Sequence, residues 1–196
     1  MTSSTEQTAF HNFLSKLLEQ KETVALEFKH TKGGFPPTFW ESYSSFANTE
    51  GGSIVFGVKE KDGRFYPDGL TAEQIKKYKD DIWNQINSKQ KVNRKIISDK
   101  DVSEVEYNGA WFLLFNIPRA SRDQRPIYIG ANPYDGTYRR NNTGDYHCSP
   151  WEVQQMLAEQ RHDLAMDDEI YSHYTIDDLD QESLRAYRQM LSLIHI

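Results

Sequence analysis

SSFANTEGGSIVFGV, Ser44 to Val58, runs the end of an aromatic-bearing segment through Asn48-Thr49-Glu50-Gly51-Gly52 into an apolar run. Ile54, Val55, Phe56 and Val58 place apolar side chains on both faces of an extended chain, the pattern of a central buried strand. Upstream, Gly33-Gly34 and Pro36-Pro37 break the chain, and Phe39, Tyr43, Phe46 and Ala47 then line one side of a helix from about 38 to 47. The order is helix to strand, so the glycine amides do not open a helix N-terminus as in nucleotide-binding glycine loops. Two readings stand: a helix C-cap with tight helix-on-sheet packing, or amides exposed to cradle a phosphate while Asn48 and Thr49 bond the turn.

Before this motif, Phe10, Phe13, Leu14, Leu17 and Leu18 recur at helical spacing, predicting an amphipathic N-terminal helix. Val24, Leu26 and Phe28 alternate with Ala25, Glu27 and Lys29, the period of a strand that puts Glu27 and Lys29 on one face. After it, Lys59 to Gly63 reads as a turn and 71–88 as a second helix. Ile96-Ile97, Val102 to Tyr107 and Trp111 to Ile117 read as strands, the last two joined at Asn108-Gly109, a specific hairpin signal. Short strands are expected around 127–129 and 137–140. Ser149 with Glu152 forms a capping box, with Pro150 first in a helix that reaches about Arg161.

From His162 to Asp180 the composition turns acidic and reads as a linker or peripheral arm, before a last helix from Gln181. The ending LSLIHI resembles a translated sequencing adapter, so the natural chain is expected to continue past Met190. The predicted organisation is an N-terminal helix (1–18), a main domain (19–161) and a C-terminal extension (162–196). The fold class is α/β (α+β), a mixed sheet flanked by helices.

With 196 residues, 37% of them hydrophobic, the chain can bury one good core. A net charge of -6 argues against coating nucleic acid through bulk charge, and leaves room for a local basic patch. One cysteine, Cys148, excludes an internal disulfide and a multi-cysteine zinc site. No stretch approaches the ~20 apolar residues of a membrane span, and the N-terminus lacks a signal-peptide pattern. A cytoplasmic location is expected.

Three stretches could carry chemistry. In KETVALEFK, Glu22, Glu27 and Lys29 could hold a divalent cation and stabilise developing charge on a phosphodiester; the alternative is a solvated strand face. The opening motif offers Asn48, Gly51 and Gly52. Between Pro118 and Arg140, Arg119, Arg122, Arg125, Arg139 and Arg140 face only Asp123 and Asp135, with Tyr128, Tyr134, Tyr138 and Tyr146 interleaved or adjacent. Guanidiniums pair with phosphates and tyrosines stack on unpaired bases, which suits single-stranded or distorted nucleic acid. The histidines form no metal-ligand pattern.

Taken together, ETVALEFK, SSFANTEGGSIVFGV, RPIYIG and YRRNNTGDYHCSPWEV resemble the Schlafen/AlbA-type DNA-binding domain of bacterial regulators, over roughly 19–161. The phrase AFANTxGGxIxxGV is specific to that family. The resemblance implies an α/β fold with a nucleic-acid-binding surface, here Arg119, Arg125, Arg139 and Arg140 with Lys29, Asn48, Gly51 and Gly52 near the groove. It implies the N-terminal part of a longer transcriptional regulator, often labelled ATP-binding, although no phosphate loop occurs in this chain. The partner is DNA or structured RNA, no cofactor is required for binding, and a homo-oligomer is compatible. A nucleolytic branch of the family uses three acids, two of them in an E-x4-E-F-K phrase that Glu22 and Glu27 match. Glu60 is the third acid by position, with Mg2+ or Mn2+ as the metal and Lys29 as stabiliser. That defines the alternative function, a metal-dependent endoribonuclease.

Overall fold

The computed structural model describes residues 25–31, 33–62, 64–88, 91–162, 178 and 180–194. The expected N-terminal helix and most of the acidic linker lie outside them, as does Glu22. The chain divides into two compact units, Met1–Arg161 and His162–Ile196.

In the first unit, β1 (Leu26–Lys29) runs parallel to β2 (Gly52–Phe56), and β2 pairs antiparallel with β6 (Ala110–Ile117), which pairs with β5 (Val102–Tyr107). The order β1-β2-β6-β5 makes β2 an interior strand, as its apolar run requires. Between β2 and β5 lie a hairpin, β3 (Val58–Lys61) and β4 (Arg64–Pro67), and helix α2 (Ala72–Asn87). Asn108 and Gly109 both take positive φ, 50° and 80°, which matches the right-handed twist of the strands they connect.

Alternation along β2 and β6 divides the core. Ile54, Phe56, Leu113, Phe115 and Ile117 face α1 (Phe39–Asn48) and α2, where Phe39, Phe56 and Phe115 meet with ring centroids 5.0 to 5.6 Å apart. Leu26, Phe28, Val55, Val58, Phe112 and Leu114 form a second cluster on the other face, with Phe65 of β4 packed on it. Helix α2 buries Ile75, Tyr78, Ile82 and Ile86, one stripe at helical spacing. Its first turn is closed by Thr71 and Gln74, each side chain accepting from the other's backbone N–H.

The rest of the unit is a one-turn helix α3 (Pro133–Gly136), a hairpin of β7 (Tyr138–Asn141) and β8 (Gly144–His147), and helix α4 (Pro150–His162). Ser149 and Glu152 form the expected capping box at the start of α4. In the second unit α5 (Gln181–Ile194) begins behind Asp180, whose carboxylate accepts from the Ser183 N–H at 2.9 Å.

Three sequence expectations are corrected. Lys59 to Lys61 belong to strand β3, and the turn is confined to its end, where Asp62 has φ 54°. Ile96-Ile97 is not a strand: the Ile96 N–H donates to the Tyr43 hydroxyl at 2.9 Å, so a side chain replaces a strand neighbour. The 127–129 segment forms only isolated bridges, Val92 to Ile129 and Tyr128 to Thr137, because Asn48 holds both backbone groups of Ile127. Strand β8, with little apolar alternation, is an addition to the sequence reading.

Candidate functional site

Helix α1 is buried on both sides. Its aromatic stripe enters the core, and Ser42, Ser44, Ser45 and Asn48 are also buried, at 0 to 6% exposure. Buried hydroxyl and amide groups must find partners, and here they find the β7–β8 hairpin. The Tyr138 N–H donates to Ser44 Oγ at 3.0 Å, Asn48 Nδ2 donates to the Tyr138 carbonyl at 3.0 Å, and the Arg140 N–H donates to Thr49 Oγ1 at 3.0 Å. One edge of β7 pairs with β8, and the other is hydrogen-bonded by helix side chains. Asn48 also accepts from the Ile127 N–H and donates to the Ile127 carbonyl, both at 2.8 Å.

The glycines then follow from close approach. The Gly51 N–H donates to the Phe46 carbonyl at 2.9 Å, closing the helix end, and Gly51 takes φ 80°. A Cβ on Gly51 would meet the Ile117 carbonyl oxygen at 2.8 Å, and one on Gly52 would meet the Phe46 ring at 2.6 Å. The cap-and-packing reading accounts for both glycines.

Because residues in β1 alternate, Glu27 and Lys29 share a face with their register partners Ile54 and Phe56, the face covered by helices. They are not solvated: side-chain exposures are 12% and 11%. Glu27 Oε1 pairs with Lys29 Nζ at 2.7 Å, and Oε2 with Arg140 Nη2 at 2.8 Å. Arg140 Nη1 reaches Asp145 Oδ1 at 2.9 Å, and its guanidinium lies 4.9 Å from the centre of the Phe46 ring. Asp145 also accepts from the hydroxyls of Ser42, at 2.7 Å, and Ser45. Two cations and two carboxylates thus form a neutral buried cluster joining β1, α1 and the hairpin. Burial works against the charge on Arg140, but the bonds and charges of Asp145 and Glu27 outweigh it and raise its pKa.

The outer face of the hairpin is different. Arg139 and Tyr146 are cross-strand partners, 45% exposed at the Arg139 side chain and 56% at Tyr146. Arg139 Nε pairs with Glu152 Oε1 at 3.1 Å, and Trp151, which precedes Glu152 in α4, is 67% exposed. The Ser149 backbone N–H, then its hydroxyl, hold the Glu152 carboxyl below its usual range, with Arg139 adding to the effect. The other end of α4 packs on the 118–126 loop, where Gln160 donates to the Asp123 carbonyl and Arg125 lies 3.8 Å from Glu159. Arg119 is exposed and pairs with Glu50 at 3.0 Å, while Arg122 is exposed.

The expected site residues therefore separate. Arg119 and Arg139 are on the surface, Arg125 is mostly covered, and Arg140, expected as a phosphate contact, is enclosed between Glu27 and Asp145 with 1% side-chain exposure. Lys29, Asn48 and Gly51 are engaged in structural contacts, and Gly52 is packed against Phe46. Glu60 is exposed on β3. As a ligand for a divalent metal Glu27 does not fit, because both its oxygens are occupied by cations. Among the described residues no three His, Cys, Asp or Glu side chains gather as a metal site. Ser42, Ser45, Asp145 and Trp151 were not among the expected residues. The period of a strand would have separated Arg139 from Arg140, and a helix spending four positions on Ser and Asn signals polar partners on that side.

Residues 15–149 match the family model described as Schlafen, AlbA_2. Residues 154–195 match a second, described as a domain of unknown function. A search of curated proteins finds no match to the chain. Among solved structures, the chain resembles the N-terminal domain of a protein from Nitrosomonas europaea described as related to the ATP-dependent DNA helicase RecG. The identity is 24% and the TM-score 0.52, over 70% of this chain and 92% of that one. A Corynebacterium diphtheriae protein aligns at 17% identity and TM-score 0.44, over 69% of this chain and 24% of that one. Among the described residues no helix is long and apolar enough to cross a membrane.

Proposed function

The chain belongs to the Schlafen AlbA_2 family, and on that premise we propose that its first unit binds nucleic acid through the outer face of the β7–β8 hairpin and the start of α4. The observation that carries the reading is the exposed cross-strand pair of Arg139 and Tyr146, joined through Glu152 to the first turn of α4, where Trp151 is exposed, and backed by a neutral, hydrogen-bonded interior. A guanidinium supplies a phosphate contact and the two aromatic rings supply stacking surfaces. Arg119 and Arg122 extend the cationic surface on the loop that packs against the other end of α4. The finer reading is that this domain places a transcriptional regulator on its DNA. The likeness to a domain of a protein described as RecG-related, a helicase relative, is in keeping with work on DNA.

The endoribonuclease reading draws no comparable support. Glu27 holds Lys29 and Arg140 in place of a metal, so no hydrolytic step is derived from it. The Gly51 N–H closes a helix end, so the cap accounts for it without a bound phosphate.

The test is fluorescence anisotropy with a labelled single-stranded oligonucleotide and its duplex across a salt series. Replacing Arg139 and Tyr146 together by alanine is expected to weaken binding about tenfold and to lower the salt slope by about 1. Unchanged affinity and slope would remove the surface assignment.

A further inference from the structure

A separate cleft of about 660 Å³ is lined by Asn87, Asn93, Arg94, Lys95, Gln124 and Tyr128, with Ile86 as its aliphatic wall. Among the described residues no carboxylate lines it. In a chain of net charge -6 this is unusual, and three other clefts make the contrast. One of about 490 Å³ carries Asp80 and Glu104, one of about 470 Å³ carries Glu41 and Asp135, and one of about 440 Å³ carries Asp68.

The backbone of the cleft is fixed in advance. The Asn93 N–H donates to the Tyr128 carbonyl at 3.1 Å, and the Tyr128 N–H donates to Asn93 Oδ1 at 2.8 Å. Asn93 Nδ2 donates to the Pro126 carbonyl at 3.0 Å, so this amide is wholly structural. The Tyr43 hydroxyl donates to the Arg94 carbonyl at 3.3 Å, and burial raises the Tyr43 pKa and keeps that proton in place. Lys95 Nζ rests 4.7 Å from the centre of the Trp83 ring, a contact that orients the ammonium without neutralising it. Arg94 is exposed and makes no ion pair among the described residues.

We infer that this cleft takes one unpaired nucleotide of a single strand. Tyr128 offers a ring for the base, Asn87 and Gln124 offer amides for base edges, and Arg94 and Lys95 offer charge for the flanking phosphate. The inference rests on the nucleic-acid-binding reading above and adds to it a preference for single strands, at a place distinct from Arg139 and Tyr146. A free nucleotide shares the same chemistry, and the experiment separates the two sources.

Tyr128→Leu and Arg94→Glu are compared with wild type on a labelled single-stranded oligonucleotide and on its duplex, at one fixed salt concentration. Each is expected to weaken single-strand binding about tenfold and to change duplex binding less than about twofold, with Tyr128→Phe restoring the wild-type value. Melting curves check folding, and Arg94, on the surface, keeps the test valid if Tyr128→Leu is unstable. Wild-type single-strand affinity in both variants, together with a loss in the Arg139/Tyr146 double variant, overturns the cleft and leaves the hairpin surface standing. No binding of either oligonucleotide to wild type overturns both proposals. Saturable binding of adenosine monophosphate without single-strand binding overturns the strand assignment in favour of a free nucleotide.

Discussion

Arg139 and Arg140 are neighbours of one residue type on one strand, and they occupy opposite worlds. Arg140 points inward, where Glu27, Asp145 and the Phe46 ring enclose it; Arg139 points outward beside Tyr146, tethered to Glu152. The two faces of the β7–β8 hairpin therefore divide labour. The inner face spends its charges on architecture, and the outer face leaves them to solvent and to a ligand. A basic run counted from sequence overstates the binding surface, because strand period halves it.

The largest test of this division is to remove the inner cation. Arg140→Ala leaves Glu27 and Asp145 buried without their shared partner, and is expected to cost about 3–5 kcal/mol in urea unfolding, against less than about 0.5 kcal/mol for Arg139→Ala. Equal costs would break the comparison. Asn48→Ala removes the partner of the Ile127 N–H and of the Tyr138 carbonyl, while the Ile127 carbonyl keeps the Ser44 hydroxyl at 2.7 Å. A loss of about 2–3 kcal/mol is expected, with earlier hydrogen exchange at Ile127 than in wild type.

The smallest effect lies on the outer face. Glu152 has its folded pKa lowered, by the Ser149 backbone N–H first and the Ser149 hydroxyl next. A lowered folded pKa contributes stability above the unfolded value, here 4.5, and loses it as pH falls through the folded value. Relative to Glu152→Gln, wild type is expected to be slightly more stable at pH 7, by less than about 1 kcal/mol on a group still partly open to solvent, and the difference should vanish in strong acid. A constant difference across that range would separate Glu152 from any charge-based role.

Much of this arrangement was legible in the chain. The apolar run at Ile54 to Val58, the capping box at Ser149 and the Asn108-Gly109 turn are local signals, and local signals survive folding. Strand β3 was hidden because Val58-Lys59-Glu60-Lys61 is charged like a turn. Among the described residues it pairs with β4 alone, and of its four residues Val58 is the buried one. The ion cluster was hidden for another reason: Glu27 and Arg140 are far apart in sequence, and no periodicity announces that a carboxylate on an early strand and a guanidinium on a late hairpin will meet. What could be read was the polarity of α1, whose serines and asparagine weaken it as an isolated helix and make sense only with partners.

The side chains that α1 extends to β7 have one more consequence. A two-stranded ribbon ordinarily leaves backbone groups along its outer edges, a template on which another chain can build an unintended sheet. The Tyr138 N–H and carbonyl and the Arg140 N–H are already occupied by Ser44, Asn48 and Thr49. That edge of the hairpin is thereby shielded from aggregation, and a partner approaching it must engage side chains rather than recruit the backbone.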